Sequence, residues 1–137
     1  MTSEQSKDIV RCFLEASTRL NQQDMHNMLA QDFLAHLPAG IVNRTEFMQA
    51  KQDLVSAFSN IKFTVLDQVA EEDKVASKAL LTGIHSGQYL GASPSGKTIS
   101  IQTFSIDRVK NGKIIEHWDS LDTQSMLVQL GMLETYV

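Results

Sequence analysis

The sequence predicts an α+β domain in which helices come first and antiparallel strands follow. Three observations carry that expectation. Apolar side chains recur at spacings of three and four up to Phe58, from Ile61 they alternate with polar ones, and turn signals then divide the second half into separate extended runs. No internal repeat, low-complexity tract or Pro/Gly-rich linker interrupts the chain, so residues 1–137 read as a single domain.

The first helix is predicted from the stripe Ile9, Phe13, Ala16 and Leu20, with Ser3 or Ser6 as its cap. A shorter helix begins at Asp24 and turns Met25, Met28 and Leu29 inward. Phe33 to Leu37 is a brief extended piece that Pro38 and Gly40 stop. Asn43 and Glu46 form a capping-box pattern before a third stripe of Phe47, Ala50, Leu54 and Phe58. The strands follow: Ile61 to Ala70 with its odd positions apolar, Val75 to Leu90, Thr98 to Val109, and Lys113 to Leu121. Between them stand the charged turn Glu71–Lys74, the turn Ser93–Gly96, and Asn111-Gly112, whose residues tolerate the positive φ of a two-residue hairpin. Met126, Leu127, Leu130 and Leu133 suggest a short terminal helix. Apolar residues occur at both parities of the last strands, and one chain's helices cover only one sheet face, so a homodimer is expected.

Composition narrows the function. A hydrophobic fraction of 42% supports a packed core, and 12 Lys and Arg against 16 Asp and Glu give a net charge of −4, which supplies no footprint for nucleic acid. The single cysteine, Cys12, leaves no intramolecular disulfide and is expected to pack near Phe13. No signal-peptide layout opens the sequence and no apolar run is long enough to cross a membrane, so a cytoplasmic protein is expected. Zinc-site spacing, a phosphate-binding loop, a nucleophile elbow and a dinucleotide fingerprint are all missing, and neither a metal nor a cofactor is expected.

The residues that could carry chemistry lie mostly on the last strand. Glu116, Trp118, Ser120 and Asp122 share one face by the two-residue period, and a carboxylate facing an apolar cavity would have the raised affinity for protons that acid–base work needs. The alternative is that Asp122 caps the terminal helix and Glu116 finds a cationic partner. His85, between Gly83 and Gly87, could polarise a carbonyl; otherwise it is a buried histidine bonded to a neighbour. His36, before Pro38, is open in the same way. His117 and Asp119 could be two metal ligands, but no third is visible, and their parity places them on the outer face.

Taken together, Gly83-Ile84-His85-Ser86-Gly87, Gly91-Ala92-Ser93-Pro94-Ser95-Gly96-Lys97, Arg108 with Asn111-Gly112-Lys113-Ile114-Ile115-Glu116-His117-Trp118, then Asp122 and Gln129-Leu130-Gly131, resemble the SnoaL-like polyketide cyclases. That family shows a G-T-H-x-G strand, a G-x-x-P-T-G turn, an R-x-x-x-G-K-I-x-E-x-W hairpin, an Asp four residues after the Trp, and a closing Q-L-G. The spacing agrees over about half of the chain, with Ile84, Ser86 and Ser95 replacing threonines. The resemblance implies the fold of nuclear transport factor 2 and ketosteroid isomerase, a conical, cystatin-like α+β barrel whose curved sheet packs on three N-terminal helices and which is usually dimeric. It implies that the face of Glu116, Trp118, Ser120 and Asp122 lines the cavity. Asp122 then matches the catalytic carboxylate and His85 the pocket histidine, with His36 and Trp118 against the substrate.

The chemistry implied is an intramolecular aldol closure of a small hydrophobic, carbonyl-rich substrate, with no cofactor. Asp122 would remove a proton from carbon and return it to the new alkoxide, while His85 donates to a carbonyl. Two alternatives stand beside it. One is a dimeric module that binds an apolar ligand without turnover. The other is a related isomerase or epoxide hydrolase, which as a hydrolase would need a carboxylate–arginine–carboxylate set for which Arg108 is the strand candidate. Fold alone separates none of these.

Overall fold

A computed structural model describes residues 2–19 and 22–133. The described elements run α1 Ser3–Ala16, α2 Gln22–Met28, β1 Leu29–Leu37, β2 Gly40–Asn43, α3 Arg44–Ala57, β3 Phe58–Glu71, β4 Lys74–His85, β5 Thr98–Lys110, β6 Lys113–Leu121 and α4 Thr123–Gln129. The strands form one sheet in the order β2-β1-β6-β5-β4-β3. Its neighbours are antiparallel except β1 and β6, which run parallel. Because β2 and β3 are free edges, the curved sheet is open and not the closed barrel that the resemblance implied. The helices pack on one face, α1 across β3 to β6, α3 against β1 and β3, and α4 against β5.

Local chemistry explains most boundaries. Thr2, not Ser3 or Ser6, caps α1: its hydroxyl accepts from Gln5 N–H while the Gln5 side chain accepts from Thr2 N–H. The Asn43–Glu46 capping box opens α3 as its sequence pattern indicates. Asn111 and Gly112 both take positive φ, at 53° and 78°, in the β5–β6 hairpin. The strand predicted to reach Leu90 stops at His85, because the backbone beyond it bonds to the end of α3: Ser86 and Gly87 N–H both donate to Ala57 C=O. Cys12 is exposed and does not pack in the core. Leu20, the last residue of the first predicted stripe, lies outside the described residues.

The two glycines flanking His85 answer to close approaches. A Cβ on Gly83 would stand 3.2 Å from Phe58 Cβ, and one on Gly87 would overlap the Ser56 carbonyl oxygen and crowd Ala57 Cα at 3.1 Å. Both neighbours of Gly87 are backbone and cannot swing aside. Gly87→Ala is therefore expected to destabilise the protein by about 1–3 kcal/mol, read as a lower midpoint in urea unfolding.

Two bulges decide which side chains face the helices. In β3 the register with β4 shifts between Val65 and Asp67, so Phe63 is buried before the shift and Gln68 after it, while Val69 is 65% exposed. In β6 the register with β5 shifts between the Val109↔Ile114 and Arg108↔Glu116 pairs, leaving Ile115 extra. Ile114, His117 and Leu121 consequently share the helix side with Asp119, and Glu116, Trp118 and Ser120 share the other. This reverses the parity expected for β6, which assumed an unbroken two-residue period.

The helix side has a banded interior. At one end Val10, Phe13, Leu29, Phe33, Phe47, Val75, Val109 and Ile114 form an apolar cluster. At the other, Phe58, Phe63, Ala79, Leu81, Ile99, Ile101 and Met126 form a second. Between them β4, β5 and β6 contribute Ser77, Thr103, Ser105, Asp107 and His117, all buried. A polar belt thus crosses the interior where a continuous core would otherwise run.

Candidate active site

The belt contains a chain of ionisable groups. Asp107 on β5 is fully buried and its Oδ1 lies 2.5 Å from Nδ1 of His117, itself 1% exposed. The other ring nitrogen, Nε2, stands 3.6 Å from Oδ2 of Asp119, an ion-pair distance too long for a hydrogen bond, and it has no hydrogen-bond partner. Asp119 Oδ2 is in turn 3.9 Å from Nζ of Lys51 on α3. The edges of Phe13 and Phe47 pack against the His117 ring and fix it from the helix side.

These contacts set the charges. Burial alone would lower the pKa of His117, but the buried Asp107 charge and its hydrogen bond outweigh it, with Asp119 adding, and raise the imidazole to about 9. Burial pushes the Asp119 carboxyl up; the His117 contact and the Lys51 and His117 charges overcome it and hold the group below its usual value. At neutral pH the chain reads Asp107⁻, His117⁺, Asp119⁻, Lys51⁺, with alternating signs. Asp119, with 19% side-chain exposure, is the member of the Asp–His–Asp set that reaches the surface of the belt. It is an ionised carboxylate with one oxygen facing an imidazolium and an ammonium, able to accept a proton and give it back.

The site residues expected from the sequence fall into three places. His36, Glu116, Trp118 and Ser120 gather on the sheet face away from the helices. There the His36 ring stacks on Trp118 at 4.7 Å and its Nε2 lies 2.6 Å from Glu116 Oε2. Arg108 joins them, bonding Glu116 Oε1 at 3.3 Å and Asp73 Oδ2 at 3.0 Å, so a carboxylate–arginine–carboxylate set exists, on the outer face. The His36 and Arg108 hydrogen bonds hold the Glu116 carboxyl low. Trp118 and Ser120 also line a groove of about 500 Å³ with Val69, Phe104 and Ile106.

His85 lies apart, 1% exposed, its Nδ1 accepting from Ser95 N–H at 3.2 Å and lying 2.9 Å from Ser95 Oγ. Asp122 is exposed and caps α4, accepting from Ser125 N–H at 3.0 Å. The register separates the two. β4 approaches His85 at the Ile84↔Thr98 pair, whereas β6 reaches Asp122 just past Leu121↔Thr103, roughly 17 Å further along β5. The structure brings neither of them to the Asp107–His117–Asp119 chain.

His117 and Asp119, expected on the outer face, are the interior residues. One sequence signal pointed to them: the odd positions Thr103, Ser105 and Asp107 of β5 are polar in register between apolar Ile101 and Val109. Among the described residues no group of three or more His, Cys, Asp or Glu side chains is arranged to hold a metal ion.

An open, curved six-stranded sheet with helices on one face and an ionisable belt beneath them defines a ketosteroid isomerase-like α+β protein, and a solved structure of that fold from Catenulispora acidiphila superposes with a TM-score of 0.77 at 18% identity, covering 94% of this chain and 96% of the other. The sequence model of the SnoaL-like polyketide cyclases matches residues 7–130, and the chain belongs to that family. IdmH of Streptomyces antibioticus, a candidate polyketide cyclase, is 27% identical over 92% of this chain and 98% of its own, with a TM-score of 0.84. AclR of Streptomyces galilaeus, a candidate hydroxylase, is 24% identical over 99% of this chain and 87% of its own, with a TM-score of 0.89. No protein of curated function matches the sequence.

Proposed function

We propose that this SnoaL-like protein is an acid–base cyclase that closes a ring in a small, hydrophobic, carbonyl-rich substrate by an intramolecular aldol reaction, with Asp119 as the proton carrier. The observation that supports it is the helix-facing Asp119 carboxylate, backed by the buried His117–Asp107 pair. Asp119 takes the place that the sequence resemblance gave to Asp122, because the β6 bulge turns Asp119 inward and α4 engages Asp122.

Asp119 Oδ2 removes a proton from a carbon flanked by carbonyls, and the C–H electron pair moves onto the carbonyl oxygen as an enolate. The enolate carbon attacks a second carbonyl of the same molecule, and that carbonyl's π pair becomes an alkoxide. The protonated Asp119 returns its proton to the alkoxide, so no atom is gained or lost. His117 does not need to touch the substrate. Charged and fixed by Asp107, it positions the carboxylate and stabilises its ionised form between turnovers. The test is incubation with a linear, aromatic-ended polyketone, followed by chromatography for a product of unchanged mass, or lighter by one water.

We also propose that the outer sheet face packs against a second copy of the chain. Phe104, Ile106 and Val69 are 52%, 44% and 65% exposed on one continuous surface beside Trp118, an apolar patch that a monomer would leave in water. Phe104→Glu is expected to give a monomer by light scattering at micromolar concentration where the parent chain gives a dimer. A monomeric parent would end this reading.

A further inference from the structure

A carbonyl that loses an α-proton develops negative charge on its oxygen, and in an apolar site that charge is costly unless a donor or cation meets it. Lys51 is built for such a task. Its side chain is 15% exposed, and its Nζ lies 5.3 Å from the centroid of Phe47 and 5.0 Å from that of Phe63. Phe47 and Lys51 are four residues apart on α3 and so share a face, while Phe63 comes across from β3. Two rings thus hold the ammonium with little water around it.

The nearest acidic oxygen, Asp119 Oδ2, is 3.9 Å away, close enough for attraction but beyond hydrogen-bond reach. Among the described residues the ammonium donates no hydrogen bond, so its N–H groups are available to an oxygen placed beside Asp119. A recess bordered by Ala16, Ser17, Met25, Met48 and Lys51 opens between α1, α2 and α3 at this point.

We propose that Lys51 is a second catalytic residue, whose ammonium donates to the oxygen of the carbonyl that Asp119 deprotonates, so that the site takes 1,3-dicarbonyl ligands with an enolate oxygen turned toward α3. The proposal rests on the acid–base reading of Asp119. As the proton passes from carbon to Asp119 Oδ2, the negative charge leaves the carboxylate and appears on the enolate oxygen. Both positions adjoin the same ammonium, so Lys51 stays paired throughout and no charge is stranded.

The probe is 5-phenylcyclohexane-1,3-dione, a planar apolar diketone that is an enolate at neutral pH, with neutral 3-phenylcyclohexanone as its uncharged counterpart. Binding is followed by calorimetry and by the enolate absorbance. Lys51→Met keeps the length and apolar stem, and it is expected to weaken enolate binding by at least about tenfold while changing the neutral ketone less than about threefold. Asp119→Asn is expected to keep or tighten enolate binding, since it removes a like charge.

Equal affinity of Lys51→Met and parent for the enolate overturns the proposal. So does equal weakening for enolate and ketone, which would mean packing alone, or no enolate binding by the parent at millimolar concentration. The outcome is separable from the acid–base reading, which stands or falls on turnover by Asp119→Asn.

Discussion

Asp119→Asn is expected to slow cyclisation by about 10²–10⁴-fold while leaving the fold and ligand binding in place. Asparagine has the shape of aspartate but cannot take a proton from carbon. The position is partly exposed and its contacts to His117 and Lys51 are longer than hydrogen bonds, so the structural cost is small. Circular dichroism and thermal unfolding check the fold; single-turnover kinetics check the rate. Asp122→Asn is the companion measurement, because Asn caps a helix about as well as Asp and that variant should change neither stability nor rate. A loss that follows Asp122 instead would return the base to the helix cap. In the parent, kcat/KM should fall on the acid side as the lowered Asp119 carboxyl protonates, and on the basic side near pH 9 as His117 loses its charge.

His117→Ala is expected to cost about 3–5 kcal/mol, the largest stability effect of any single substitution considered, and to lower the melting temperature by roughly 10–20 °C. The reason is less the lost imidazole than the stranded Asp107, which is fully buried and already has one oxygen, Oδ2, without a partner. Replacing both residues with leucine should recover part of the loss, because it removes the uncompensated charge.

The same pair sets a pH dependence. His117 is raised from 6.5 to about 9 in the folded chain, so its contribution is fully present below 6.5 and fades as pH rises through 9. Urea unfolding of the parent should lose on the order of 3 kcal/mol between pH 6 and pH 9.5, and His117→Ala should flatten that slope. Asp119, whose carboxyl is lowered, contributes at the acid end and leaves this window clear.

Much of this was legible in the residues. The helical stripes, the Asn43 cap, the Asn111-Gly112 hairpin and the family motifs gave the order of elements and the α+β class. The four-residue strand β2 was too short to show a period, and its pairing with β1 fixes the edge of the sheet. The bland alternatives for Asp122, Glu116 and His85 describe the contacts they make: a helix cap, an arginine partner and a serine neighbour. The candidate site escaped because a period count assumes that every residue advances the pleat. Ile115 does not, and beyond it each side chain of β6 changes faces.

The sequence by itself determined what is local: where helices begin, where hairpins turn, which family the motifs resemble, and that one apolar-rich domain is formed. Only the tertiary structure decided which face of β6 looks inward, and with it that His117, Asp119 and Lys51 meet while His85 and Asp122 stay apart. The physical reason is that capping and turn preferences act over three or four residues. A bulge is a property of two paired strands, and a site made from α3, β5 and β6 exists only when residues more than fifty positions apart are brought into contact.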